Sequence, residues 1–339
     1  MKNIRNLSSY NFSLPVNLIA QEPIFPVSEA RLLVYERKRD EIIHTTFKDF
    51  FNFIPKDSLI VLNNTKVIKA RIYGEKRSGG KIELLYHKDI EDKFLVQIKG
   101  KVKEDEEIYF KQNLSCKIIK NINEINVNGF KIVSFKIKNK NIDKNTLLKI
   151  LNEIGVIPLP PYIKSSSFEN NYQSIFGEME GAIAAPTASL HFDENSYKEL
   201  QNFNHCFITL HVGAGTFLPM QNENILMHEM HSEYFKISAI AKQKIENAKK
   251  ILCIGTTACR CIEYFERKKE VEGECDIFLH PLNPPLKTNY LLTNFHLPKS
   301  SLLVLVSAFI GLEKTLSIYE IAKNEKYRFY SYGDGMLIL

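Results

Sequence analysis

Five of the nine histidines in this 339-residue chain, at 191, 205, 211, 228 and 231, fall within residues 181–231. Imidazole is the side chain best suited to moving protons near neutral pH. Three short stretches carry these residues. GAIAAPTASLHF (181–192) is small, uncharged and broken by proline before it reaches His191. FITLHVGAGTFLPM (207–220) reads as a buried strand that breaks after His211 into Gly213-Ala214-Gly215-Thr216, and MHEMHSE (227–233) gathers His228, His231 and Glu233. Glycines after a strand let the backbone approach a ligand closely. The active site is expected here.

Several chemistries are tested by spacing. A zincin helix needs histidines at i and i+4 with Glu between them. His228 and His231 stand three apart, before a strand-like SEYFKI. Glu233 is better suited to accepting a hydrogen bond or carrying a proton than to holding a metal. The GAG turn lacks the full GxGxxG fingerprint, and no Walker lysine is present, so neither NAD nor ATP use is indicated. Arg260 follows a strand–turn–helix junction, a place suited to an anion or to an ion pair. Asn63-Asn64-Thr65 ends a buried strand, either as an Asx-turn or as amides held at a ligand. The aromatics Tyr162, Tyr172, Phe192, Phe217 and Phe295 read singly as core; some can stack on a base or face a cation.

The elements that must position these residues alternate. ILCIGTTACRCIEYFERKK (251–269) and YLLTNFHLPKSSLLVLVSAFIG (290–311) each read as strand, turn and helix, and DIFLH (276–280) as a further strand. This alternation predicts an α/β sheet with functional residues at strand ends. FKDFFNFIP (47–55) predicts a short helix, and NTLLKILNEIG (145–155) a helix capped by Asn145 and stopped by Gly155. Between them, KIELLYH, DKFLVQIKG, EEIYF, SCKIIK and FKIVSFKIK alternate with turns such as NEINVNGF, predicting a small antiparallel β-barrel. The expected fold is thus an α/β main domain, residues 1–69 with 151–339, carrying an inserted barrel at 70–150.

Charge follows this division. Net charge is +6, yet residues 69–150 alone hold 19 Lys and Arg against 11 Asp and Glu. A basic segment on a slightly acidic body suggests a face for a polyanion, although Lys-rich composition gives the same excess. The longest apolar run, LLVLVSAFI (302–310), is about half of the ~20 residues a membrane span needs. The six cysteines form no CxxC pair and lie in apolar stretches, as buried thiols do. A cytoplasmic monomer is expected.

LIAQEP, ARLLV, LNNTKVIKARIYG, PLPPYI, NYQSIF, GAIAAPTASLHF, ITLHVGAGTFLPM, MHEMHSE, GTTACR, LLTNFHLPKSSLLVLVSAF and YRFYSYGDGMLIL occur in this order from the N-terminal region to Leu339. Together they resemble the S-adenosylmethionine:tRNA ribosyltransferase-isomerase family of queuosine biosynthesis. The resemblance implies a metal-free enzyme with a barrel domain and an α/β domain. It has no bound cofactor and takes S-adenosylmethionine as co-substrate. The ribosyl group would be transferred and isomerised onto 7-aminomethyl-7-deazaguanine at the wobble position of tRNA, in the anticodon stem-loop. The product would be epoxyqueuosine, with adenine and methionine released. Under this chemistry His211, His231 and Glu233 are candidates for the base, and His191 or His296 for the donor to departing adenine. Gly213, Gly215 and Thr216 would contact donor or modified base, and Arg260, Lys66 and Arg71 the methionine carboxylate or RNA phosphates. Asn64, Tyr162, Thr187, Asn294 and Asp334, within the same motifs, complete the implied substrate-binding set.

Overall fold

The computed structural model describes residues 2–121, 129–164, 169–213, 215 and 220–339. Two compact units emerge, Met1–Lys66 with Pro160–Leu339, and Val67–Leu159.

The first unit is built on a nine-stranded mixed sheet. Its order is Glu272–Cys275, Glu233–Lys236, His205–Leu210, Ser58–Asn63, Lys250–Ile254, Tyr290–Asn294, Gly335–Ile338, Arg31–Glu36 and Glu41–Thr46. The four strands from His205–Leu210 to Tyr290–Asn294 in this order run parallel. Their neighbours Glu233–Lys236 and Gly335–Ile338 run antiparallel to them. SLIVLN at 58–63 is buried at every position, as a strand covered on both faces must be. Because side chains alternate across a strand, Ile60, Leu62, Leu252, Ile254, Leu292 and Leu337 meet Phe47, Phe50 and Phe192 in one core.

Helices close the crossovers. Ser301–Ile310 is started by the Ser300 hydroxyl, which accepts from the Leu303 N–H, and its interior is buried. Among the described residues no single helix is long and apolar enough to cross a membrane. Helix Thr256–Lys268 begins at Gly255, whose φ of 89° favours glycine, and no side chain caps it. The segment after Thr46 is a 3₁₀-helix, Phe47–Phe53. All six cysteines are buried and free.

The expected strand at DIFLH is displaced. The strand is Glu272–Cys275, paired antiparallel with Glu233–Lys236. Beyond it the carbonyl of Ile277, and within it that of Cys275, accept from the Arg260 guanidinium at 3.2 Å. Ile277 and Leu279 are buried, yet the local backbone bonds go to a side chain instead of extending the ladder.

The second unit is a closed antiparallel barrel. Arg71–Lys76, Lys81–Ile90, Lys93–Lys99, Phe130–Ile137, Leu114–Asn121 and Glu107–Tyr109 pair in that order, and the last returns to the first. Alternate residues Ile82, Leu84, Tyr86 and Phe94, Val96, Ile98 are buried inside. An α/β sheet with a small antiparallel barrel is therefore the fold class, as the sequence predicts. Helix Lys144–Ile154 packs in this unit and ends at Gly155, but its cap is Asp143, which accepts from the Thr146 N–H at 2.8 Å, and not Asn145. Most of the NEINVNGF turn lies outside the described residues.

Candidate functional site

The sheet topology dictates where a ligand can sit. In open α/β sheets the crevice outside the carboxyl ends of parallel strands is the binding position. Here the strand ends deliver Leu210–His211–Val212, Ile254–Gly255–Thr256–Thr257 and Asn294–Phe295–His296. A cavity of about 290 Å³ opens at these ends. Ala184 to Ala188 of the small-residue run, Val212, Thr256, Thr257, Asn294, His296 and Lys299 line it, with Tyr162, Tyr172 and Tyr330 as its aromatic part.

Asn294 is the most constrained polar group at the cavity. Its Oδ1 accepts from the Thr187 hydroxyl at 2.9 Å. Its Nδ2 donates to the Tyr330 carbonyl and faces His191 Nε2, each at 3.3 Å. His191 lies behind it, stacked on Phe47 with ring centroids 3.9 Å apart. Burial, with the Arg328 charge nearby, pushes the His191 imidazole down to about 3. Burial alone does the same to His296, down to about 3, and its Nε2 bonds the Thr293 hydroxyl at 2.7 Å. Both rings are neutral at physiological pH, so they serve as hydrogen-bonding groups and not as cationic acids. Asn294→Ala removes the link between Thr187, His191 and Tyr330, and is expected to lower kcat/KM on the order of 100-fold, a typical cost of misplacing reacting groups. Steady-state kinetics of the variant tests this.

The same burial makes a stability prediction. An unfolded histidine titrates near 6.5. Below that pH the unfolded chain takes up protons that folded His191 and His296 do not take until about pH 3. Stability therefore falls as pH drops through this window. Thermal melts at pH 7 and pH 4.5 should show a smaller acid loss in His296→Gln than in the wild type.

A second cluster adjoins the Val212 edge. His211 Nδ1 meets the Thr65 hydroxyl at 2.8 Å, and the ring stacks on Tyr234. A Cβ at Gly181 would stand 2.5 Å from His211 Nε2, which explains a glycine at the head of the small-residue run. Glu233 is buried and forms an ion pair with Arg260. Its Oε1 also accepts from the Gly213 N–H at 2.8 Å. Gly215 packs against the exposed His231, whose Cδ2 would stand 2.3 Å from a Cβ there. Thr216 and Phe217 lie outside the described residues. Among the described residues no three His, Cys, Asp or Glu side chains converge as a metal site.

Residues 7–338 match the family described as queuosine biosynthesis protein. This chain belongs to that family. Its relatives include the S-adenosylmethionine:tRNA ribosyltransferase-isomerase of Aliarcobacter butzleri, 52% identical over 98% of both chains. The enzyme of the same description from Helicobacter pylori strain Shi470 is 49% identical over 98% of this chain and 99% of that one. A crystal structure of S-adenosylmethionine tRNA ribosyltransferase from Thermotoga maritima covers 98% of this chain, with 27% identity and a TM-score of 0.53.

With the family established, the predicted site residues separate into groups. Tyr162, Thr187, Asn294 and His296 line the cavity, and His191 supports Asn294 from behind. His211, His231, Gly213 and Gly215 form the adjoining cluster, while the Glu233 and Arg260 charges satisfy each other in the interior. Asp334 is buried away from the cavity lining and accepts from the backbone N–H groups of Arg31 and Arg328. Asn64 accepts from Thr209 at 2.7 Å and borders a separate surface hollow. Lys66 pairs with Glu180 at 3.1 Å, and Arg71 pairs with Glu83 at 3.3 Å within the barrel unit.

Sequence reasoning gave too little weight to Asn63. Wholly buried, it donates to the Leu210 carbonyl and the Thr257 hydroxyl, and accepts from the N–H groups of Thr65 and Leu210. One amide thus ties three strand ends together. Its signal is a polar residue closing an otherwise apolar strand. Tyr330 and Ser331 also line the wall; the sequence marks their segment, YRFYSYGDGMLIL, but singles out Asp334 in it.

Proposed function

We propose that this chain transfers and isomerises the ribosyl group of S-adenosylmethionine onto 7-aminomethyl-7-deazaguanine at the wobble position of tRNA. Epoxyqueuosine forms, and adenine and methionine leave. The observation that carries the reading is the cavity at the carboxyl ends of the parallel strands, lined by the segments that carry the family resemblance. Its volume, about 290 Å³, lies near the lower end for small-molecule sites. S-adenosylmethionine is the occupant in this reading. The uncapped start of helix Thr256–Lys268 and the Lys299 ammonium suit its carboxylate.

The reaction needs a proton removed from the ribose carbon beside the sulfonium and a donor for departing adenine. His211 is assigned as the base, with His231 next in line, because these imidazoles are not buried in the interior. The neutral His296 and the Thr187 hydroxyl are assigned as hydrogen-bond partners along the wall. Glu233 and Arg260 hold the Gly213 backbone in place in this scheme and touch no substrate. The α/β unit is the catalytic domain and the basic barrel an anticodon-arm surface. The wobble base is splayed out to reach the cavity, as loop bases are in single-stranded RNA recognition.

The test is incubation with S-adenosylmethionine and an anticodon stem-loop bearing the modified base, with chelator present. RNA-dependent adenine release with a matching gain in RNA mass is expected. Intact S-adenosylmethionine in the presence of bound RNA would overturn the proposal.

A further inference from the structure

S-adenosylmethionine carries a permanent cation, and burying a charge is costly unless something compensates it. Among the described residues lining the cavity none is Asp or Glu, and the charged one, Lys299, is itself a cation. What the cavity offers instead is tyrosine. The faces of aromatic rings carry negative potential and attract cations within about 6 Å.

Two of these rings are fixed in place. Tyr330 has φ of 73°, a left-handed conformation that a bulky residue seldom adopts. Its N–H donates to the Phe295 carbonyl at 2.9 Å, and its own carbonyl accepts from Asn294 and from the Gly333 N–H. The backbone is thus held on both sides, and strain of this kind concentrates at functional sites. Tyr162 is anchored by its hydroxyl, 2.5 Å from Ser331 Oγ. The two ring centroids are 4.0 Å apart, tilted by 44°. Beside them Tyr172 is fully buried and lines the same cavity, its ring edge-on to Tyr332.

We propose that Tyr330 and Tyr162 form the face that receives the sulfonium and distinguishes S-adenosylmethionine from the neutral thioether S-adenosylhomocysteine. This rests on the reading of the cavity as the S-adenosylmethionine site. The strained backbone of Tyr330 is what brings its ring to that face.

The experiment uses the adenine-release assay with the modified stem-loop, measuring the KM for S-adenosylmethionine and the inhibition constant for S-adenosylhomocysteine. Tyr330→Asn removes the ring with a residue that tolerates the left-handed backbone; Tyr330→Phe keeps the ring. In Tyr330→Asn the preference for the sulfonium over the thioether should fall roughly tenfold. In Tyr330→Phe it should be retained. Equal weakening of both ligands, or an unchanged preference, would overturn the inference while leaving the cavity assignment intact. A wild type without adenine release would overturn both. Should Tyr330→Asn not fold, Tyr162→Leu is read by the same ratio.

Discussion

Replacing His211 with alanine is expected to slow adenine release by about 10²- to 10⁴-fold, the usual contribution of a positioned base, with little change in S-adenosylmethionine binding. The imidazole is held from three directions, by the Thr65 hydroxyl, the Tyr234 ring and the Gly181 backbone. So much orientation for one ring suits a group whose geometry matters in the transition state more than in the bound complex. Thr65→Val serves as the companion variant: it keeps the imidazole but removes the bond to Nδ1, and should give a smaller loss. Single-turnover kinetics separate binding from chemistry. Near-normal turnover in His211→Ala would take this residue out of the mechanism and pass the assignment to His231.

The largest stability effect is expected at Arg260. Its guanidinium pairs with Glu233 and donates to the carbonyls of Cys275 and Ile277, all in the interior. Arg260→Ala strands a buried carboxylate and two carbonyls, which costs about 3–5 kcal/mol. Urea denaturation should show the midpoint shifting strongly downward. The double variant Glu233→Gln with Arg260→Met removes both charges and should recover much of the loss, since removing a buried pair together costs far less than breaking it. A single variant as stable as the wild type would mean that the pair is not desolvated as the geometry implies. The same substitution loosens the acceptor of the Gly213 N–H, so activity should fall even where the protein remains folded.

The sequence made the α/β alternation legible because its strands are unbroken apolar runs followed by Gly, Thr or Asn, and the barrel legible because its strands alternate. What it did not reveal were partnerships across long separations. Arg260 reads from its place after a strand as suited to an anion or to an ion pair; the carboxylate it meets is 27 residues upstream, on a strand separated from the one before it by two others in the sheet. The resemblance puts Asp334 in the substrate-binding set; its carboxylate accepts from the distant Arg31 N–H and from the Arg328 N–H. DIFLH has the apolar content of a strand, but its Ile277 and Phe278 carbonyls accept from the side chains of Arg260 and Asn283 instead of from a strand. Histidine-rich spacing points to residues 181–231, but burial, which local sequence shows poorly, sorts His191 from the half-buried His211.

The place of Gly335–Ile338 in the sheet has a consequence for how this protein is made. Among the described residues the hairpin Arg31–Glu36 and Glu41–Thr46 joins the sheet only through that strand, with Leu32 opposite Gly335. During synthesis the hairpin therefore waits for residues some 300 positions downstream. Such distant pairing is slow to form, because chain closure must precede any reward from contact. Until then Leu32 and Val34 of the hairpin, and Leu292 of the partly built sheet, lack their final cover. A chain released before residue 335 would present an open sheet edge and an unattached hairpin, the form most prone to associate with its own copies.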